Sequence, residues 1–260
     1  MAWIPEARGV LMDVDGTLLL GDAAAPGAAA VLRNLRAARI PFRLTTNTTR
    51  KSRAAVARSL RDVGIEVADT EVLAPSILAR RRILESGRQR ALLLVTDDAA
   101  SDFEGVESTY DSHADWVVVG DLGPGFTWEI LNRAFHALRS GARLLALQKN
   151  RSWHAGASGI LIDAGPFVAA LEYAADTQAE ILGKPSRAFF ELALEVLGLE
   201  SAHVLVVGDD IDNDGRGGAA AGCRTALVRT GKFRDAALVS SNWRPDLLLD
   251  SIGDLGPILA

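Results

Sequence analysis

The stretch Leu11-Met12-Asp13-Val14-Asp15-Gly16-Thr17 decides how the chain is read. Together with Val10 it opens as an apolar run, and Val10–Val14 predicts a first buried strand. Alternation along that strand sets Asp13 and Asp15 on one side and Val14 on the other, and Gly16 permits a sharp exit. Two carboxylates thus emerge together at a strand's C-terminal end, the edge at which open parallel sheets bind ligands. Like charges this close repel, so the pair calls for a cation, a shared proton or a protonated partner. A strand running into a capped turn is the plainer alternative.

Outward from this segment the chain repeats one rhythm: a short apolar run, a polar or glycine turn, then an amphipathic stretch. That alternation predicts α/β units around parallel strands. An Ala/Leu-rich helix opened by Pro26 ends before Pro41, Phe42–Thr46 is a second strand, and a helix covers Ser52–Val63. Leu92–Thr96, Trp116–Val119, Leu144–Gln148 and Ile160–Asp163 read as strands, and Pro166–Ala174 and Phe189–Leu197 as helices. In the last third Val204–Val207 and Thr225–Val228 are strands flanking a small-residue helix over Gly217–Gly222, with Leu247–Leu249 at the edge. The stretch 74–180 has its own strands and helices yet lacks the strongest acidic motifs. It reads as an inserted α/β domain, leaving 1–73 and 181–260 to form a Rossmann-like, doubly wound parallel-sheet core.

Composition limits the function classes. The chain has 260 residues, 48% of them hydrophobic and 23% charged, the balance of a folded domain pair rather than a disordered or fibrous chain. Lys plus Arg number 28 against 33 Asp plus Glu, and a formal charge of -5 argues against coating nucleic acid or an anionic membrane. The single cysteine, Cys223, has no disulfide partner and reads as a small buried hydrophobe. The start lacks the pattern of a signal peptide, and every apolar run falls far short of the roughly 18 residues a membrane span needs. A cytoplasmic location is the expectation.

Three further segments carry chemistry. Gly208-Asp209-Asp210-Ile211-Asp212-Asn213-Asp214 follows the strand Val204–Val207, and its oxygen-rich aspartates suit a hard divalent cation such as Mg2+, with a solvated loop as the alternative. An EF-hand fits less well, because no closing Glu follows Gly215 at the required place. Thr45-Thr46-Asn47-Thr48-Thr49-Arg50 joins a strand to a helix, where hydroxyls and free backbone N–H groups hold phosphate or simply cap the helix. Gly183-Lys184-Pro185 ends another apolar run, and Lys184 could be aimed at the same crevice.

Taken together and in this order, Asp13-Val14-Asp15-Gly16-Thr17, Thr46-Asn47, Lys184 and Gly208-Asp209 with Asp214 resemble the four motifs of the haloacid dehalogenase superfamily. The insertion between Thr46 and Lys184 resembles the large α/β cap of its class IIA, NagD-type branch. Gly165-Pro166-Phe167-Val168-Ala169-Ala170-Leu171-Glu172-Tyr173, running on to Gly183-Lys184-Pro185, looks like the group of hydrolase-like domain-containing protein two and phospholysine phosphohistidine inorganic pyrophosphate phosphatase.

The resemblance implies a Mg2+-dependent phosphatase acting on a small phosphorylated substrate, with a homodimer left open. It implies that Asp13 attacks phosphorus and that Asp15 carries the proton. Mg2+ would be held by the Asp13 carboxylate, the Asp15 carbonyl and Asp209, while Thr46, Asn47 and Lys184 bind the phosphoryl group. Asp210 and Asp214 are second-layer candidates, Asp214 orienting either metal-bound water or Lys184, and Asp212 faces solvent. The glycines of Gly215-Arg216-Gly217-Gly218 are a departure that leaves this loop's geometry open. Lys149, Arg151 and His154, beside Trp153, are candidate substrate contacts from the cap. Dehalogenases of this fold lack an acid at the position of Asp15, which favours phosphate chemistry. A phosphomutase is the nearest enzymatic alternative, and a phospho-accepting receiver is the nearest non-enzyme, although receivers have about half this length.

Overall fold

The computed structural model describes residues 7–111, 113–154 and 159–258. Their α/β architecture is built on two separate, wholly parallel sheets. The first has six strands in the order Leu247–Leu249, Arg224–Val228, Val204–Gly208, Gly9–Asp13, Phe42–Thr45 and Val72–Leu73. Strands covered on both faces need apolar residues at every position, which is why Gly9–Asp13 and Val204–Gly208 are buried throughout instead of alternating. From Gly9–Asp13 the chain builds first to one side and later to the other. The first strand therefore sits at a topological switch point, with its C-terminal end opening on the ligand-binding edge.

Register brings the chemistry to that edge. Asp13 is the last residue of its strand and lies opposite Thr45. On the other side Met12 pairs with Val207, so the strand carrying Gly208 and Asp209 ends at the same level. Leu11 belongs to a cluster with Phe189, Phe190 and Val206 that buries Cys223, as expected of a structural thiol. Val10, Met12, Leu44 and Val207 pack with Leu32 and Leu35 of the helix Ala28–Ala37 in another cluster.

The described residues up to Thr46, with Ala54–Leu73 and those from Lys184 on, make up this first unit. Asn47–Arg53 and Ala74–Gly183 make up the second, so Asn47–Arg53 and residues 181–183, ten residues expected in the core, group with the insertion. The second unit contains the five-stranded sheet Glu180–Ile181, Arg143–Ala146, Trp116–Val119, Arg90–Leu94 and Glu107–Ser108, with helices including Pro75–Glu85, Trp128–Arg139 and Ala164–Ala175. Ile160–Ile162 forms no part of that sheet. It pairs antiparallel with Ser152–His154, and its three apolar side chains are exposed. Among the described residues no helix is long and apolar enough to cross a membrane.

Candidate active site

Asp13 is 7% exposed, and Asp15, two residues further along a turn, is exposed. Gly16 makes the intervening geometry possible at φ +96°, where a Cβ would also sit 2.1 Å from Oδ2 of Asp209. The two acids thus differ in environment despite their spacing in sequence. Burial, followed by the competing influence of Lys184 and the repulsion of Asp214, Asp209 and Asp15, leaves Asp13 with a pKa well above the usual carboxylate range. Thr17 donates to its Oδ2 at 3.4 Å.

Lys184 is the positive centre of the cluster. Its buried Nζ donates to Oδ1 of Asp13 at 2.6 Å, to Oδ1 of Asp214 at 2.7 Å and to Oγ1 of Thr45 at 3.3 Å. Burial works against the ammonium, but Asp13 and Asp214 outweigh it and hold the pKa above the ordinary lysine value. Thr46 is buried next along the chain, its N–H bound to the Leu73 carbonyl at 3.1 Å and its hydroxyl donating to Oδ2 of Asp15 at 3.4 Å.

The aspartate-rich segment after Gly208, whose geometry the sequence leaves open, forms a π-helical turn over Ile211–Arg216. Asp210 caps this turn. Its Oδ1 accepts the N–H groups of Asp212 and Asn213 at 3.0 Å each, and its Oδ2 accepts Nδ2 of Asn213 at 2.9 Å. Burial alone would raise its pKa, but these donors and Lys232 keep it below the usual value. Asp214 is 1% exposed and turns back toward Lys184, while Asp212 is exposed and pairs with Arg216 at 3.2 Å. Asp209 is 1% exposed, and burial pushes its pKa up to about 6 against the Lys232 N–H, which donates to its Oδ2 at 2.6 Å.

Asp13, Asp209 and Asp214 each offer an oxygen within 4.8 Å of the others. Lys184 supplies a single positive charge to three buried acids, and a divalent cation with oxygen preference would balance the remaining charge of their ionised forms. The donor set fits Mg2+.

Of the residues singled out in sequence, Asp13, Lys184, Asp209 and Asp214 converge, with Thr46 touching Asp15. Asn47 groups with the second unit, where its Oδ1 lies against Gly183. Lys149 in that unit is tied to Glu172 at 2.6 Å, Arg151 is exposed, and the side chain of His154 lies outside the described residues. Thr17 and Thr45 stand within segments singled out in sequence but carried no role of their own there, and Thr230 and Lys232 escaped sequence reading. Strand register could have pointed to Thr45, but the turn Thr230-Gly231-Lys232 carries no signal before the third dimension brings it to Asp209.

Residues 10–109 match the model of the haloacid dehalogenase-like hydrolases, and residues 181–255 match a HAD-hydrolase-like model. The chain belongs to the haloacid dehalogenase superfamily, as a phosphatase of its class IIA. It is 40% identical over 251 residues to haloacid dehalogenase-like hydrolase domain-containing protein 2 of Bos taurus, covering 96% of this chain and 95% of that one. Phospholysine phosphohistidine inorganic pyrophosphate phosphatase of Bos taurus is 36% identical over 267 residues, 99% and 97% of the two chains. A crystal structure of 4-nitrophenylphosphatase from Thermotoga maritima superposes with a TM-score of 0.90 at 28% identity, covering 98% of each chain.

Proposed function

We propose that the chain hydrolyses a small phosphate monoester, pyrophosphate or a phosphoamino acid in a Mg2+-dependent reaction, with a transient phosphoryl group on Asp13. The observation that carries this reading is the buried Asp13 carboxylate held at 2.6 Å by Lys184, with an exposed second acid, Asp15, two residues away. A buried acid with one oxygen fixed is suited to in-line attack on phosphorus, and an exposed one can exchange its proton with water.

In this reading an oxygen of Asp13 forms the bond to phosphorus as the bond to the leaving oxygen breaks. Asp15 delivers its proton to that leaving oxygen, then takes one from the water that cleaves the aspartyl-phosphate. Lys184 favours the carboxylate form of Asp13 against the opposing effect of its burial, and the Thr46 hydroxyl stabilises a transferring oxygen. Mg2+, when held by Asp13, Asp209 and the Asp15 carbonyl with Asp214 behind them, supplies charge neutralisation between nucleophile and phosphate. The Ala74–Gly183 unit is read as the cap that selects the leaving group, with Arg151 and His154 as candidate contacts, and the location as cytoplasmic. Lys149 is the weaker candidate because Glu172 engages it.

The test is release of p-nitrophenol from p-nitrophenyl phosphate as a function of free Mg2+. Turnover should vanish in chelator and return with Mg2+, and Ca2+ should inhibit, because its looser coordination lets Asp13 bind through both oxygens. Full turnover in chelator would remove the metal from the mechanism. Transfer of the phosphoryl group to a sugar phosphate in preference to water would favour the phosphomutase.

A further inference from the structure

Three neighbouring strands of the first sheet end at the same edge: Arg224–Val228, Val204–Gly208 and Gly9–Asp13. The turn leaving the first of these does not stop at its neighbour. Lys232 donates its backbone N–H to Oδ2 of Asp209, beyond the middle strand, at 2.6 Å. Thr230 reaches past it, its Oγ1 donating at 2.5 Å to the carbonyl of Gly16, beyond the third strand. Two strand spacings are about 9.6 Å, so this turn spans the exits of all three strands.

Close packing holds it there. Gly231 has φ +56°, and a Cβ on it would lie 1.9 Å from Oδ2 of Asp209 and 2.6 Å from Cα of Gly16. Phe233, 5% exposed, anchors the far end of the turn against Leu227 and Leu238. Asp209 thus has one oxygen occupied by the protein, which leaves the other for a cation. The Gly16 carbonyl, one residue beyond the Asp15 carbonyl, is held by the same turn.

We propose that Thr230-Gly231-Lys232 is a positioning clamp for the cation site, setting the orientation of Asp209 and of the Asp15–Gly16 segment before any cation arrives. The clamp rests on the metal-dependent reading above. Groups that orient the ligands of a metal without touching it typically contribute 10–100-fold to its affinity. The Thr230 hydroxyl is the part of the clamp that substitution can remove without changing side-chain shape.

The test is the Kd for Mg2+, measured by isothermal titration calorimetry on the intact chain, alongside circular dichroism. Thr230→Val should weaken Mg2+ binding about 10-fold or more with an unchanged spectrum, and Thr230→Ser, which keeps the hydroxyl, should restore most of the affinity. Turnover by Thr230→Val should recover at high Mg2+, as a shift in half-saturation and not a fixed loss. Gly231→Ala should weaken Mg2+ binding more than Thr230→Val does. A Kd for Thr230→Val within twofold of the parent overturns the clamp, as does Thr230→Ser binding no better than Thr230→Val. Parent protein that binds no Mg2+ overturns both the clamp and the metal-dependent reading. Parent protein that binds Mg2+ but turns over no phosphate ester counts against the phosphatase reading alone.

Discussion

Nζ of Lys184 lies 2.6 Å from Oδ1 of Asp13, although 171 residues separate them in sequence. The same ammonium reaches Asp214, so one buried cation joins the exit of the first strand to the acidic turn after the strand Val204–Gly208. A lysine that merely pointed at solvent-borne phosphate would be dispensable to the fold. This one is part of the charge balance of the resting site.

Replacing Lys184 with Met should therefore have two effects. Turnover of an aryl phosphate should fall roughly 100- to 1,000-fold, the scale of losing one preorganised charge-stabilising donor. Stability in chelator should also fall, by about 3 kcal/mol, because removing one partner leaves buried carboxylates uncompensated. Urea unfolding with and without Mg2+ separates the two: added Mg2+ should recover part of the stability and little of the rate.

Cys223 gives a pH dependence at a distance from the site's acids. Burial raises its thiol from the ordinary 9.0 to about 11. The folded state therefore holds this proton more tightly than the unfolded chain, so the associated stability is fully present below pH 9 and is lost as pH climbs through 11. Parent and Cys223→Ala proteins should differ most in unfolding free energy at pH 8, and the gap should shrink by about 2 kcal/mol toward pH 11. A gap independent of pH would mean that the thiol titrates normally in the fold.

Much of this site is legible in one dimension because strand ends make it. An apolar run that stops at an aspartate, as at Asp13 and Asp209, announces a sheet edge, and the order of such edges along the chain defines the core. Side chains engaged by distant loops leave no such trace: Lys232 reaches Asp209 through its backbone N–H, which any residue but proline supplies. Asp210 illustrates the same limit: its place among four aspartates is visible in sequence, but not that three donors from its own turn engage its oxygens. The segment Asn47–Arg53 follows a core strand in sequence, whereas hydrogen bonds of Arg50, Ser52, Arg53 and Thr49 join it to Thr96, Asp98, Asp102 and Asp121.

Those bonds make Asp102 a structural acid of the second unit. It is 8% exposed, accepts the N–H of Arg53 on both oxygens at 3.2 and 3.1 Å, and receives Oγ of Ser76 at 2.5 Å. Asp102→Ala should cost about 1–3 kcal/mol by leaving a buried donor unmet, and Asp102→Asn should cost less, since its carbonyl oxygen still accepts. Chemical denaturation would measure both, and equal losses would show that the hydrogen bonds to this side chain are not what it contributes.

Asp13 and Asp15 share a motif but not an environment, and that difference separates their variants. Asp13→Asn removes the nucleophile, so neither phosphoenzyme nor product should form from any substrate. Asp15→Asn keeps the buried carboxylate and its bond to Lys184 and removes only an exposed proton carrier. An activated aryl phosphate needs little help to expel its leaving group, so it should still phosphorylate Asp13 in Asp15→Asn. Hydrolysis of the adduct requires a base to deprotonate water, and that base is gone, so the phosphoenzyme should accumulate. Mass spectrometry of acid-quenched protein should show one added phosphoryl group on Asp15→Asn, mapped to the peptide containing Asp13, and none on Asp13→Asn. Turnover by Asp13→Asn, or a phosphoryl group on another residue, would mean that the chain works without an aspartyl-phosphate at this position.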